Sequence, residues 1–66
     1  MRYIDTTTYD DYDRVVRFLL EHQVPIVERS KMKMVVVADL PVDLESKMFD
    51  EVEFGDIVSV GDKPLG

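Results

Sequence analysis

The sequence contains no cysteine and little glycine, and both shortages limit the chemistry open to it. Without cysteine the chain forms no disulfide, and it has no thiolate to bind a metal ion. Its three glycines, Gly55, Gly61 and Gly66, stand alone, so there is no glycine-rich loop to hold a phosphate group. A single hydrophobic core must therefore hold a chain of 66 residues, near the lower size limit for independent folding.

Histidine is equally scarce, and no catalytic pattern surrounds it. His22 is the only one, and no nucleophile or orienting acid accompanies it in the sequence. The acidic stretch "YDDYD" at residues 9–13 lacks the alternating oxygen ligands and the central glycine of a calcium loop. We therefore predict a protein that is not an enzyme and that binds no metal ion or other cofactor.

Long apolar runs are also missing. No stretch approaches the ~20 apolar residues that a membrane-spanning helix needs. The opening residues "MRYIDTTTYD" do not combine a basic region with an apolar one, as a signal peptide does. We therefore expect a cytoplasmic protein with no membrane partner, and secretion by another route stays open as the alternative.

Positive charge is in short supply, and the excess of acid lies at one end. The net charge is −6, and residues 39–66 account for it, with two lysines against eight acidic residues. Such a chain is repelled by nucleic acid and by anionic lipid, so we predict a protein partner of neutral or basic character. The acidic surface also has a simpler reading, which is that it keeps a small protein soluble.

The first half of the chain has the pattern of a strand, a helix and a second strand. "MRYI" indicates a strand, and "DTTT" supplies residues that cap helices. An apolar stripe with helical spacing predicts a helix over about residues 8–22. The stripe consists of Tyr12, Val15, Val16, Leu19 and Leu20. Pro25 in "VPIVERS" predicts an edge strand, because proline cannot donate to a neighbouring strand.

The second half repeats the pattern. "MVVVA" is apolar at every position, which indicates a central strand. "DLPVDLESKMFDEV" predicts a helix with Asp39 as a possible N-cap, Pro41 near its start and a stripe of Leu40, Leu44 and Met48. "DIVSV" is the last predicted strand, and residues 61–66, "GDKPLG", are expected to form a flexible tail.

The order strand–helix–strand–strand–helix–strand predicts a ferredoxin-like α+β sandwich in one domain, residues 1–66. Two helices would cover one face of a four-stranded antiparallel sheet, with the first and third strands in the middle. The other face would expose part of "KMKMVVVA", either Met34 and Val36 or Val35 and Val37. An uncovered apolar patch often marks an interaction site, although a small one is tolerated and a homodimer also covers one.

From Leu19 onward, three segments resemble a known family. "FLLEHQVPIVERS", "MVVVADLPVDLESKMF" and "DIVSVGD" are similar to the helix end, the central strand with its following helix, and the last strand of subtilisin propeptide-like inhibitors. The resemblance implies an inhibitor or folding assistant of a serine protease. The uncovered sheet face would lie against the enzyme, and the tail would enter the active-site cleft as a substrate does.

The resemblance also implies which residues meet the partner. On the sheet they would be Val35 and Val37, or Met34 and Val36. Acids of the second helix and the following turn would cap helices of the protease. These acids are Glu45, Asp50, Glu51 and Glu53, and the tail residues are Asp62, Lys63, Pro64 and Leu65, followed by Gly66.

We therefore predict a small acidic protein-binding module, most concretely a propeptide-like protease inhibitor. Two alternatives remain open at the level of the sequence. One is an acidic regulator or DNA-mimic decoy that binds a basic protein through its acidic second helix. The other is a sheet-paired homodimer that binds a small ligand between its subunits.

Overall fold

The computed structural model describes residues 1–51 and 59–63, which form four strands and two helices. The elements are β1 (Arg2–Asp5), α1 (Tyr9–Glu21), β2 (Ile26–Ser30), β3 (Val35–Ala38), α2 (Val42–Glu51) and β4 (Ser59–Gly61). The strands form one antiparallel sheet in the order β2-β3-β1-β4. This is the predicted ferredoxin-like layout, with β1 and β3 in the centre and β2 at an edge.

The core lies between one face of the sheet and the two helices. Ile4 pairs with Val36 on one side and with Val60 on the other, so the three side chains project to the same face. Ile4 and Val36 are fully buried, and they belong to one hydrophobic cluster with Val15 of α1 and Met48 of α2. Both helices therefore cover this face.

Helix α1 is one residue shorter at each end than the sequence predicts. Thr8 caps its start, because the hydroxyl oxygen accepts a hydrogen bond of 3.1 Å from the backbone N–H of Asp11. The buried stripe includes Phe18, which the sequence reading left out, whereas Leu20 is 63% exposed. Leu20 thus belongs to the predicted stripe but lies outside the core, since the helix is rotated toward Phe18.

The end of α1 is a Schellman motif built without glycine. The N–H of Val24 donates to the carbonyl of Leu19 at 2.9 Å, and that of Gln23 donates to Leu20 at 3.2 Å. Gln23 has a φ of 56°, in the left-handed region where this motif usually places glycine. The buried side chains of Val24 and Leu19 belong to the same core cluster, so this turn leads the chain into β2.

Residues 31–34 form the turn between β2 and β3, and Thr6 holds its last residue. Met34 has a φ of 57°, so β3 begins at Val35 and not at Met34 as predicted. The carbonyl of Met34 accepts hydrogen bonds of 2.9 Å from both the N–H and the hydroxyl of the buried Thr6. These two hydrogen bonds hold the turn beside the end of β1.

Helix α2 begins later than the sequence suggests. The carbonyl of Pro41 accepts a hydrogen bond of 3.0 Å from Glu45, so Pro41 and not Asp39 precedes the first helical residue. Asp39 instead donates its N–H to the carbonyl of Pro25 at 3.0 Å. The predicted stripe is confirmed, with Leu40 and Met48 buried and Leu44 partly buried against the core. Residues 56–58 of the predicted last strand lie outside the described residues, and Gly61 belongs to β4 and not to a tail.

Candidate functional site

The face of the sheet that points away from the helices carries the candidate site, and we call it the open face. The strand register arranges its described residues in two rows across the four strands. One row runs Gly61, Tyr3, Val37 and Glu28, and the other runs Ser59, Asp5, Val35 and Ser30. The open face thus has an apolar centre with a carboxylate in each row.

The apolar centre is better covered than the sequence predicts. Tyr3 and Val35 are half-buried, and Val37 is only 7% exposed although it lies outside the core cluster. Tyr3 and Glu28 flank Val37 on the neighbouring strands, where side chains of paired residues lie about 5 Å apart and cover one another. The open face therefore offers a small apolar surface framed by polar groups, and not a broad hydrophobic patch.

Asp5 is the unusual group of this face. It lies on a central strand, with Val35 on one side and Ser59 on the other, and it is half-buried. Burial raises the pKa of its carboxyl above the ordinary value, because desolvation disfavours the charged form. At neutral pH, any hydrogen-bond donor or cation that a partner places against this carboxylate stabilises its charged form.

The structure decides between the two pairs of sheet residues that the sequence left open. Val36 is 0% exposed beneath the helices, and Met34 lies in the turn before β3. Val35 and Val37 therefore belong to the open face, and Val36 is not available to a partner there. The sequence reading did not assign Tyr3, Asp5 and Glu28 to the site, although alternation along β1 would have placed Tyr3 and Asp5 on one face.

The predicted acidic residues do not join the open face. Glu45 lies on α2, on the other side of the sheet, and its carboxylate accepts a hydrogen bond of 3.0 Å from Arg2. A second nitrogen of the same guanidinium donates to the carboxylate of Asp62, just after β4. These contacts raise the pKa of Arg2, above all through the bond to Glu45, although desolvation opposes them. Both acids are therefore engaged within the chain, where their bonds to Arg2 connect β1 to α2 and to the residue after β4.

The remaining predicted site residues are scattered or undescribed. Asp50 is exposed on α2, Glu51 is the last residue of α2, and Lys63 is exposed after β4. Glu53, Pro64 and Leu65 lie outside the described residues. The described acids of α2 and the open face are therefore two separate surfaces on opposite sides of the sheet.

Within residues 1–51 and 59–63, no group of three His, Asp or Glu side chains is arranged to hold a metal ion. His22 packs its ring against Phe18, with ring centroids 4.2 Å apart. Neither described helix has the length and apolar character needed to cross a membrane. Comparison with protein-family models, with curated proteins and with solved structures gives no match.

Proposed function

We propose that this chain is a non-enzymatic protein-binding module, most concretely a propeptide-like inhibitor or folding assistant of a serine protease. The observation that carries the proposal is the open face, a side of the sheet with no described helix over it, where Tyr3, Val35 and Val37 form an apolar centre. A partner that covers this centre removes apolar surface from water, which is the main source of binding free energy.

The charge on the open face suggests how the partner is oriented. Asp5 and Glu28 stand in different rows, one in the middle of the sheet and one at its edge. Carboxylates at such positions accept hydrogen bonds from backbone N–H groups at the N-terminus of a partner's helix, where the helix dipole favours negative charge. The partner that fits best therefore presents a helix N-terminus or basic side chains to the sheet.

The last described residues support a role for the segment that follows. Gly61 pairs with Tyr3, and Asp62 bonds to Arg2, so the chain leaves the sheet from a fixed point at the end of β4. In the proposed complex the residues after Lys63 enter the protease cleft as an extended strand, as the sequence resemblance implies.

Inhibition of a panel of subtilisin-like proteases tests this function. We expect the full chain to inhibit at least one of them, and Val35→Lys to weaken inhibition by at least about tenfold, because it places a charge at the apolar centre. Val42→Lys is the matched control, since Val42 is 80% exposed on α2, away from the open face. Removal of residues 64–66 spares β4 and should reduce inhibition while leaving the fold intact.

Circular dichroism of each variant verifies that the fold is kept. Absence of inhibition by the full chain across the panel would refute the protease role. Equal inhibition by Val35→Lys and Val42→Lys would instead show that the open face is not the contact surface.

The decoy alternative has less support among the described residues. Glu45 and Asp62 are paired with Arg2, and Lys47 lies among the acids of α2. The number of carboxylates on the α2 side that are left for a basic partner is therefore smaller than the sequence suggests.

A further inference from the structure

A groove runs between the flank of α1 and the edge strand β2, on the side of the sheet opposite the open face. It is open to solvent and has a volume of about 690 Å³. We call it the edge groove. Its lining residues are Tyr12, Asp13, Val16, Arg17, Leu20, Glu21, Arg29 and Lys31.

The edge groove carries a small positive net charge in a protein that is otherwise acidic. Three of the eight basic residues of the chain line it, against the acidic residues Asp13 and Glu21, whereas the net charge of the whole chain is −6. Lys31 forms an ion pair of 3.5 Å with Asp13. Arg17 and Arg29 have no ion-pair partner within residues 1–51 and 59–63, so both guanidinium groups are available to carboxylates of another molecule.

The floor of the groove is apolar and incompletely covered. Val16 is half-buried and Leu20 is 63% exposed, and the two lie one helical turn apart on the same side of α1. Apolar side chains beside unpaired cations match a ligand that carries both aliphatic and acidic groups.

The sheet edge indicates an extended ligand. β2 is the outer strand of the sheet, and β3 is its only partner among the described strands. Arg29 pairs with the buried Val36, so its side chain projects toward the helix side of the sheet and into the groove. A strand added to the outer edge of β2 would place every second side chain beside Arg29 and over the groove floor.

One end of this edge is less suited to a new strand. Pro25 precedes β2, and the pairing with β3 is irregular between Ile26 and Glu28, two features that discourage edge pairing. From Glu28 to Ser30 the register is regular, and this part lies beside the groove.

We propose that the edge groove binds an extended acidic segment of a partner protein, which adds to β2 as a fifth strand. On its groove side the segment carries a carboxylate across from Arg29 and an aliphatic side chain two residues away, over Leu20. Opposite charges on paired strands attract, and this pairing fixes the register. The edge groove and the open face lie on opposite sides of the sheet, so this binding is independent of protease inhibition.

An amide NMR titration at low salt tests the proposal with a short synthetic peptide. In this peptide, glutamate and leucine alternate at the even positions, and every odd position is threonine, which favours strands. We expect saturable shifts confined to α1 and β2. Arg17→Gln combined with Arg29→Gln should weaken binding by about fivefold or more, and added salt should have a similar effect.

Lys33→Gln combined with Lys63→Gln is the matched control, because it removes the same charge from exposed positions outside the groove. A peptide with lysine in place of glutamate controls for apolar binding alone. The proposal is overturned if the peptide does not bind, if both double variants bind it equally, or if the lysine peptide binds as well. Shifts centred on Tyr3 and Val35, or a helical bound peptide, would also overturn it.

Discussion

Asp5 is a carboxylate in the middle of a sheet, between the side chains of Val35 and Ser59. Burial raises its pKa, so the folded chain holds the Asp5 proton more tightly than the unfolded chain does. The resulting stabilisation is present below the pKa of the unfolded state and is lost as the pH rises through the raised pKa of the folded state. At neutral pH the charged Asp5 therefore weakens the fold.

We predict that Asp5→Asn raises the free energy of unfolding at neutral pH, because it removes a charge that burial disfavours. The gain should shrink as the pH falls and should vanish well below the unfolded-state pKa of ~3.9, where the carboxyl is protonated in both states. Urea unfolding at a series of pH values measures this. Asp39→Asn, in the exposed loop before α2, is the control and should show no comparable gain.

The three consecutive valines of β3 show the limit of prediction at this scale. Val35 is half-buried on the open face, Val36 is fully buried in the core, and Val37 is nearly buried on the open face. The sequence predicts a central strand here correctly, because every position is apolar. It cannot predict which valines face the helices, since an apolar run has no alternation, and the register depends on the pairing of Ile4 with Val36.

At the scale of elements, the end of α1 shows a local conflict between sequence and conformation. Gln23 occupies the left-handed position of a Schellman motif, which costs a residue with a side chain about 1–2 kcal/mol. Glycine avoids this cost, although its greater freedom in the unfolded chain offsets about 0.4–1 kcal/mol.

We therefore predict that Gln23→Gly stabilises the fold by about 0.5 kcal/mol. Urea unfolding should show a higher midpoint at an unchanged slope. Gln23→Ala is the control, since alanine keeps the Cβ atom that causes the conflict. An equal gain from alanine would mean that the left-handed backbone is not the source of the effect.

The bounds of a helix could be predicted wherever the spacing of its apolar side chains agreed with the position of its capping residues. The stripe and the threonines before it placed α1 within one residue at each end. The start of α2 was wrong because Asp39 has its N–H bonded to Pro25, a partner distant in sequence, and does not cap the helix. The edge groove was not predictable, since Arg17 and Arg29 come together only when α1 lies over β2.

At the scale of the whole molecule, Arg2 joins three distant parts of the chain. Its guanidinium bonds to Glu45 on α2 and to Asp62 after β4, while its backbone belongs to β1. The Glu45 contact is partly buried, whereas Asp62 is largely exposed. The link therefore fixes α2 and the end of β4 relative to the sheet.

We predict that Arg2→Met lowers the urea midpoint and speeds amide exchange in β4, because the end of this strand loses its side-chain anchor. Arg17→Met is the control, since it removes the same charge from an exposed residue of the edge groove. High salt should reduce the contribution of Asp62 more than that of Glu45, as exposed charges are screened more strongly. Equal effects of the two substitutions would contradict a specific role for Arg2.

The central strand β1 pairs with β3 and with β4, which come much later in the chain. During synthesis both edges of β1 therefore stay unpaired until β3 has been made, and one edge stays unpaired until β4 follows. Pairing between segments so far apart in sequence is slow, and unpaired strand edges invite association with other chains. We therefore expect this protein to be more prone to aggregation before its sheet closes than after it.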